Sequence, residues 1–165
     1  MFEPQIMCFL CKWCTSSAAD LAGTSRLQYT PNNVNLRVMC SSRVDPQHIL
    51  FAFREGADGV FIGGCHPGDC HYVEGNYKML RRFQMLKRML KDMGIEEERL
   101  RLEWISAAEG EKVKRVVNEM VAAVTKLGPL SLPQKFEEWD TELEHIQQAG
   151  QSAEQPPATR EIVNA

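Results

Sequence analysis

The chain has 165 residues, of which 44% are hydrophobic and 25% charged, with a formal net charge of −3. This describes one globular domain large enough to bury a core without disulfide staples, and it excludes a disordered chain. The slightly acidic balance argues against a nucleic-acid grip, no apolar run approaches the ~20 residues of a membrane span, and the start of the sequence lacks the pattern of a signal peptide; the expected location is the cytoplasm.

The first apolar segment, Gln5 to Leu10, reads as a strand, and the stretch from Ser16 to Arg26 reads as a helix. Asn35 to Met39 alternates as a second strand. Asp45-Pro46 sets a capping Asp before a Pro at the first helical position, and a helix then runs through Ile49, Leu50 and Phe53 to Gly56. Gly59 to Ile62 is a short β-branched and aromatic strand. A long helix is expected from Gly75 to Met93, with Met79, Leu80, Phe83, Leu86 and Leu90 at helical spacing and Gly94 as its stop. Leu100 to Ile105 alternates as a fourth strand. Ser106-Ala107-Ala108-Glu109 has the form of a capping box, opening a helix to Leu127. The order β-α-β-α-β-α-β-α implies an α/β fold: a small open parallel sheet of about four strands, flavodoxin-like, with right-handed crossovers. In such sheets the ligand sits beyond the carboxyl ends of the strands, where the strand order reverses.

The body closes near Gly128-Pro129, giving an expected domain over residues 1–130. That body holds 17 Lys and Arg against 15 Asp and Glu, whereas residues 131–165 hold 2 against 7. Within this acidic extension, Phe136, Trp139, Leu143 and Ile146 form one apolar stripe on a short helix expected over residues 134–149. The stripe either packs back on the sheet or docks on a partner; the opposite charge of tail and body favours a docking tail. The polar, Pro-rich stretch from Gln151 to Ala165 is expected to be disordered.

All six cysteines lie in the first 70 residues. A reducing cytoplasm would not keep a disulfide framework closed, so such clustering points to metal or redox chemistry. On the expected fold, Cys11 and Cys14 follow the first strand, Cys40 the second, and Cys65 and Cys70 the third. Five cysteines therefore converge on the carboxyl edge of the sheet. Cys8 lies inside the first strand and reads as a core residue. Thiolates from three loops suit an iron–sulfur cluster, a structural zinc site or a dithiol redox pair, and inert thiols are the remaining alternative. The glycines of Gly63-Gly64-Cys65-His66-Pro67-Gly68-Asp69-Cys70 free the backbone to approach a cluster closely. Each of Cys11/Cys14 and Cys65/Cys70 can chelate from one loop, whereas Cys40 comes alone from the neighbouring strand. His66 and His71 are expected to hydrogen-bond the loop or sit beside the cluster, with a ligand role as the lesser alternative, Trp13 to shield the site and His48 to face a helix surface; the Arg81-Arg82 and Lys87-Arg88 run reads as a solvated helix face, and its alternative is a basic patch that docks an acidic redox partner. No Walker loop, dinucleotide fingerprint, nucleophile elbow or carboxylate pair is present, so catalysis by this chain alone is not expected.

Several blocks together carry a family signature: Phe9-Leu10-Cys11-Lys12-Trp13-Cys14, Arg37-Val38-Met39-Cys40-Ser41-Ser42-Arg43-Val44-Asp45-Pro46, Gly64-Cys65-His66-Pro67-Gly68-Asp69-Cys70-His71-Tyr72 with Gly75-Asn76, and Leu100-Arg101-Leu102-Glu103-Trp104-Ile105-Ser106-Ala107. Over residues 5–130 the chain resembles the delta (iron–sulfur) subunit of methyl-viologen-reducing hydrogenase. The resemblance implies an electron-transfer subunit with one [2Fe-2S] cluster. Such a subunit links a [NiFe] hydrogenase or formate dehydrogenase to the flavin-containing HdrA subunit of a heterodisulfide reductase, where electrons are bifurcated. The family's cysteines match Cys11, Cys14, Cys40, Cys65 and Cys70, one more than the implied cluster needs; the expectation sets Cys11 and Cys14 on one iron and Cys65 and Cys70 on the other, with Cys40 as the spare. The competing reading is a cytosolic thiol–disulfide or zinc-binding sensor.

Overall fold

A computed structural model describes residues 2–130 and 140–146. The elements in chain order are β1 (Ile6–Cys11), α1 (Thr15–Thr24), β2 (Asn33–Val38), α2 (Pro46–Arg54), β3 (Gly59–Gly64), α3 (Gly75–Asp92), β4 (Leu100–Trp104) and α4 (Gly110–Leu127), with single 3₁₀ turns at Ser41–Arg43 and Glu97–Arg99. All pairings are parallel and the strand order is β2-β1-β3-β4. This is the expected flavodoxin-like α/β sheet, and its order reverses between β1 and β3.

The sheet is covered on both faces, which is why β1 and β3 read as nearly continuous apolar runs. Ile6, Cys8 and Leu10 point with Phe61 toward α1 and α4, where Ala18, Val113, Val116, Val117, Met120 and Val124 complete one core. On the other face α2 and α3 bury Ile49, Phe53, Met79, Leu86 and Leu90. Cys8 is 1% exposed inside the first core, and burial pushes its thiol up to about 12. It is an apolar packing residue, as expected.

Strand β2 is the outer strand beside β1, and it is only partly covered. Val34 and Leu36 stay exposed beside Phe51 of α2, lining an apolar groove of about 410 Å³ that contains none of the cysteines. The helix starts differ instructively from their expected places. Asp45 caps α2 through the Gln47 N–H at 3.0 Å, and His48 completes the cap by accepting the Asp45 N–H at Nδ1, 3.2 Å; His48 therefore has a structural task beyond solvent exposure. Helix α4 begins at Gly110 rather than Ser106. The Glu109 carboxylate does reach back to the Ser106 N–H at 2.6 Å, but it closes a separate turn ahead of the helix.

At the amino ends of the strands a buried arginine ties the sheet to the end of α4. Arg99, 1% exposed, donates to the Asp58 carbonyl at 3.0 Å and the Gly128 carbonyl at 2.9 Å, and pairs with Glu96 at 2.6 Å. The Asp58 carboxylate in turn accepts the N–H groups of Gln5 and Leu130. This polar clamp lies on the sheet edge opposite the cysteines.

The chain divides into two compact units, Met1–Pro133 and Gln134–Ala165. In the second, residues 140–146 are helical, with Leu143 and Ile146 exposed. Phe136, Trp139 and the rest of the expected tail helix lie outside the described residues, as does the stretch from Gln151. Among the described residues, no helix is long and apolar enough to cross a membrane.

Candidate metal centre

The parallel sheet delivers the five cysteines to one edge. Cys11 is the last residue of β1, and a turn returns the Cys14 N–H to the Cys11 carbonyl at 3.4 Å. Cys14 then flanks the start of α1. Cys65 directly follows β3, the neighbour of β1, so the two strand ends set Cys11 Sγ and Cys65 Sγ 3.8 Å apart. The thiols of Cys11, Cys14 and Cys65 all lie within 4.8 Å of one another. Gly63 makes this convergence sterically accessible: a Cβ there would stand 2.3 Å from Thr15 Cγ2, so only glycine lets the first turn of α1 lie on β3.

The other two cysteines form a second group. Cys40 leaves the end of β2 and Cys70 lies in the loop before α3, with their sulfurs 3.9 Å apart. Helix α3 packs on the Ser41–Arg43 turn, and Gly75, its first residue, abuts both thiols. Arg82, from the basic run of α3, reaches to the carbonyls of Ser42 and Val44 and fixes the loop that carries Cys40, a contact that neither the solvated-face nor the docking-patch reading foresees.

Of the pairs expected from loop chelation, Cys11 and Cys14 do stand together, whereas Cys65 and Cys70 lie in different sulfur groups. Cys65 joins Cys11 and Cys14, while Cys70 joins Cys40, which is no outlier. Chelation within a loop considers only neighbours in sequence. Here the Cys65–Cys70 loop carries its last cysteine to the strand on the far side of β1.

The three-thiol group is electrostatically uneven. A hydrogen bond from the Cys14 thiol, helped by the N–H groups of Trp13 and Ser41, outweighs burial and lowers Cys11 to about 6. The same contact and burial push Cys14 up. Burial is the main cause that raises Cys65 to about 11. Of the three thiols, Cys11 is therefore the one that gives up its proton to a metal most readily.

The surrounding side chains hold this edge together. Asn76, buried at the start of α3, donates to the carbonyls of Cys65 at 3.2 Å and His66 at 2.7 Å, and its own carbonyl accepts the Tyr77 N–H. His66 is anchored outside the loop, on the Glu109 carboxylate at 2.7 Å. The Ser106 N–H, and after it His66, draw the Glu109 carboxyl down to about 2. Trp13 stacks on His71 with centroids 3.7 Å apart and donates from Nε1 to the Tyr72 hydroxyl at 3.3 Å. Recesses reach both sulfur groups from solvent, one lined by Trp13, Cys14, Cys65 and His71, the other by Met39, Cys40, Tyr72 and Gly75. In the sequence, Glu109 stands out only as part of a capping box, Asn76 only within a family block and Thr15 not at all, because their contacts with His66, with the Cys65 carbonyl and with Gly63 lie far off in sequence and no local pattern marks them.

The donor set is five thiols with no carboxylate or imidazole among them, which suits a soft metal or an iron–sulfur cluster. The comparisons agree with this chemistry. The model of the family described as methyl-viologen-reducing hydrogenase, delta subunit, matches residues 6–128. The chain is 56% identical over 131 residues to the vhc iron–sulfur D subunit of an F420-non-reducing hydrogenase from Methanococcus voltae, covering 79% of this chain and 91% of that one. It is 54% identical over 136 residues to the iron–sulfur D subunit of an F420-non-reducing hydrogenase from Archaeoglobus profundus, covering 82% and 96%. It also matches, at 45% identity over 127 residues, the A subunit of the ferredoxin/F420H2-dependent CoB-CoM heterodisulfide reductase of Methanosarcina acetivorans; the match takes in 77% of this chain but only 16% of that longer one. With the family model matched over residues 6–128 and relatives more than 50% identical over most of both chains, the chain belongs to the family of the methyl-viologen-reducing hydrogenase delta subunit.

Proposed function

We propose that this chain is an electron-relay subunit that carries one [2Fe-2S] cluster between a hydrogenase or formate dehydrogenase and the flavin-bearing HdrA subunit of a heterodisulfide reductase, in an electron-bifurcating assembly. The observation that carries the reading is the spacing of the sulfurs. Two thiolates on one tetrahedral metal with bonds near 2.3 Å stand about 3.8 Å apart; Cys11 and Cys65 are 3.8 Å apart and Cys40 and Cys70 3.9 Å. We assign these two pairs to the two irons, with Cys14 as the fifth thiol, a hydrogen-bonding neighbour of Cys11. When bound, the cluster supplies one-electron transfer. The protein supplies four buried thiols from the loops that follow three neighbouring strands, and Asn76 and Arg82 fix those loops.

The relatives' names support the setting. The similar D subunits belong to hydrogenases, and the same domain forms part of longer heterodisulfide reductase chains. A domain that is separate in one lineage and fused in another is expected to touch the same partner in both. The acidic segment 131–165 is read as a tail that docks on a neighbouring subunit.

Metal analysis of anaerobically purified protein tests the cluster: about two irons and two sulfides per chain are expected, with a paramagnetic signal on reduction. In a serine series, replacement of Cys11, Cys40, Cys65 or Cys70 should abolish the signal, whereas Cys14→Ser and Cys8→Ser should keep it. The compact Cys11/Cys14/Cys65 group favours one competing outcome, a zinc site; one zinc and no iron would establish that instead.

A further inference from the structure

We propose that Val73 is the anchor by which the cysteine edge docks on an acidic-rimmed apolar surface of the redox partner. This rests on the relay reading above. Val73 has φ +65. A β-branched residue is a genuine outlier in this region, which glycine and asparagine occupy with little strain. At 76% it is also the most exposed large hydrophobic among the described residues. A strained backbone that presents an apolar side chain to water stabilises neither the turn nor the core of the free chain. Its setting is rigid: the Val73 N–H bonds the Cys70 carbonyl at 2.8 Å, and two residues later Gly75 abuts the Cys40 and Cys70 thiols. The side chain is therefore held at a fixed position beside the proposed cluster.

The neighbourhood has the make-up of an interface. Trp13, Met39, Tyr72 and Tyr77 are exposed on the same edge. Around them Arg43, Lys78 and Arg82 line the recess over Cys40, and Arg81 lines the one beside Val73 and Tyr77. Glu74, which lines the recess beside Val73, is already held by Lys78 at 3.8 Å. Arg43 and Arg81 have no ion pair among the described residues. An apolar centre inside a cationic ring fits a partner with an apolar centre inside a ring of carboxylates, and the ring steers it onto the edge nearest the sulfurs.

The strain makes the test two-sided. Val73→Asn keeps a residue that tolerates the left-handed region and removes the apolar anchor; Val73→Gly is the second variant. Each full-length chain, purified anaerobically with its metal, is titrated against the HdrA subunit of the same organism. Both variants should keep or raise the thermal midpoint of the free chain, retain wild-type iron, sulfide and reduced-state signal, and bind on the order of tenfold more weakly. Arg81→Glu should slow association at low salt and lose its effect at high salt. Wild-type affinity in Val73→Asn and Val73→Gly with the cluster intact would overturn the docking proposal and leave the relay reading standing. Weakened binding in chains that never contain iron would uphold the docking surface and remove the cluster.

Discussion

Gly75 is the tightest point of the cysteine edge, and replacing it by alanine tests how closely the second sulfur pair is packed. A Cβ at this position would stand 2.3 Å from Cys40 Sγ, 3.0 Å from Cys70 Sγ and 3.3 Å from Ser42 Oγ. Ordinary non-bonded contact begins near ~3.5 Å, so both thiols must move. Overpacking of this kind costs about 1–3 kcal/mol. Alanine's advantage in a helix returns at most ~1 kcal/mol, and the clash wins. The net loss of about 1–2 kcal/mol corresponds to a fall of about 3–6 °C in thermal midpoint. Iron content should fall as well, because the displaced sulfurs are the proposed ligands of one iron. Gly23→Ala is the matched control: it lies in α1 with nothing within 4 Å of the new methyl, and should gain about 0.5–1 kcal/mol. Calorimetry and iron analysis on the two variants decide the matter. A Gly75→Ala protein as stable as wild type with full iron would refute the packing of Cys40 against Cys70.

Two further outcomes follow from the clamp and from the anchor of His66. Arg99→Met should cost about 3–5 kcal/mol by stranding the polar groups around a buried charge, while any metal retained per folded chain stays at the wild-type level, since the clamp and the cysteines lie on opposite edges; selective loss of metal from the folded variant would contradict that separation. Glu109 is held at about 2 by the Ser106 N–H and His66, below the ~4.3 of an unfolded chain. Its contribution is complete above the unfolded value and lost as pH falls toward 2. Glu109→Gln should therefore flatten the fall of thermal midpoint between about pH 5 and 2, and an unchanged acid limb would show that the carboxylate is not held.

What could be read from sequence was whatever depends on local period and on chain order. Alternation in Leu100 to Trp104, the Asp45-Pro46 cap and the buried run of β1 each reflect a neighbourhood of a few residues, and each element formed within a few positions of its expected bounds. The convergence of Cys11, Cys14, Cys40, Cys65 and Cys70 on one edge was equally legible, because parallel strands joined by helices put every strand-to-helix loop on the same side.

The partition of those five thiols was not legible, and the reason is topological. Which strands are neighbours is set by packing across the whole domain, so the order β2-β1-β3-β4 leaves no mark on the spacing of Cys65 and Cys70. Once β1 lies between β2 and β3, Cys11 at its end must meet Cys65 from β3. The loop after Cys65 then becomes the free variable. Asn76 pins its beginning to α3 through the carbonyls of Cys65 and His66. Arg82, on the same helix, pins the Cys40 loop. One helix thus binds both loops, and Gly75 at its start admits the two remaining sulfurs side by side. The same turn leaves Val73 in a left-handed conformation facing solvent. The geometry that gathers the second sulfur pair is therefore also the geometry that presents the proposed anchor, so a change that relaxes Val73 without moving Cys70 separates the docking of this edge from the holding of its metal.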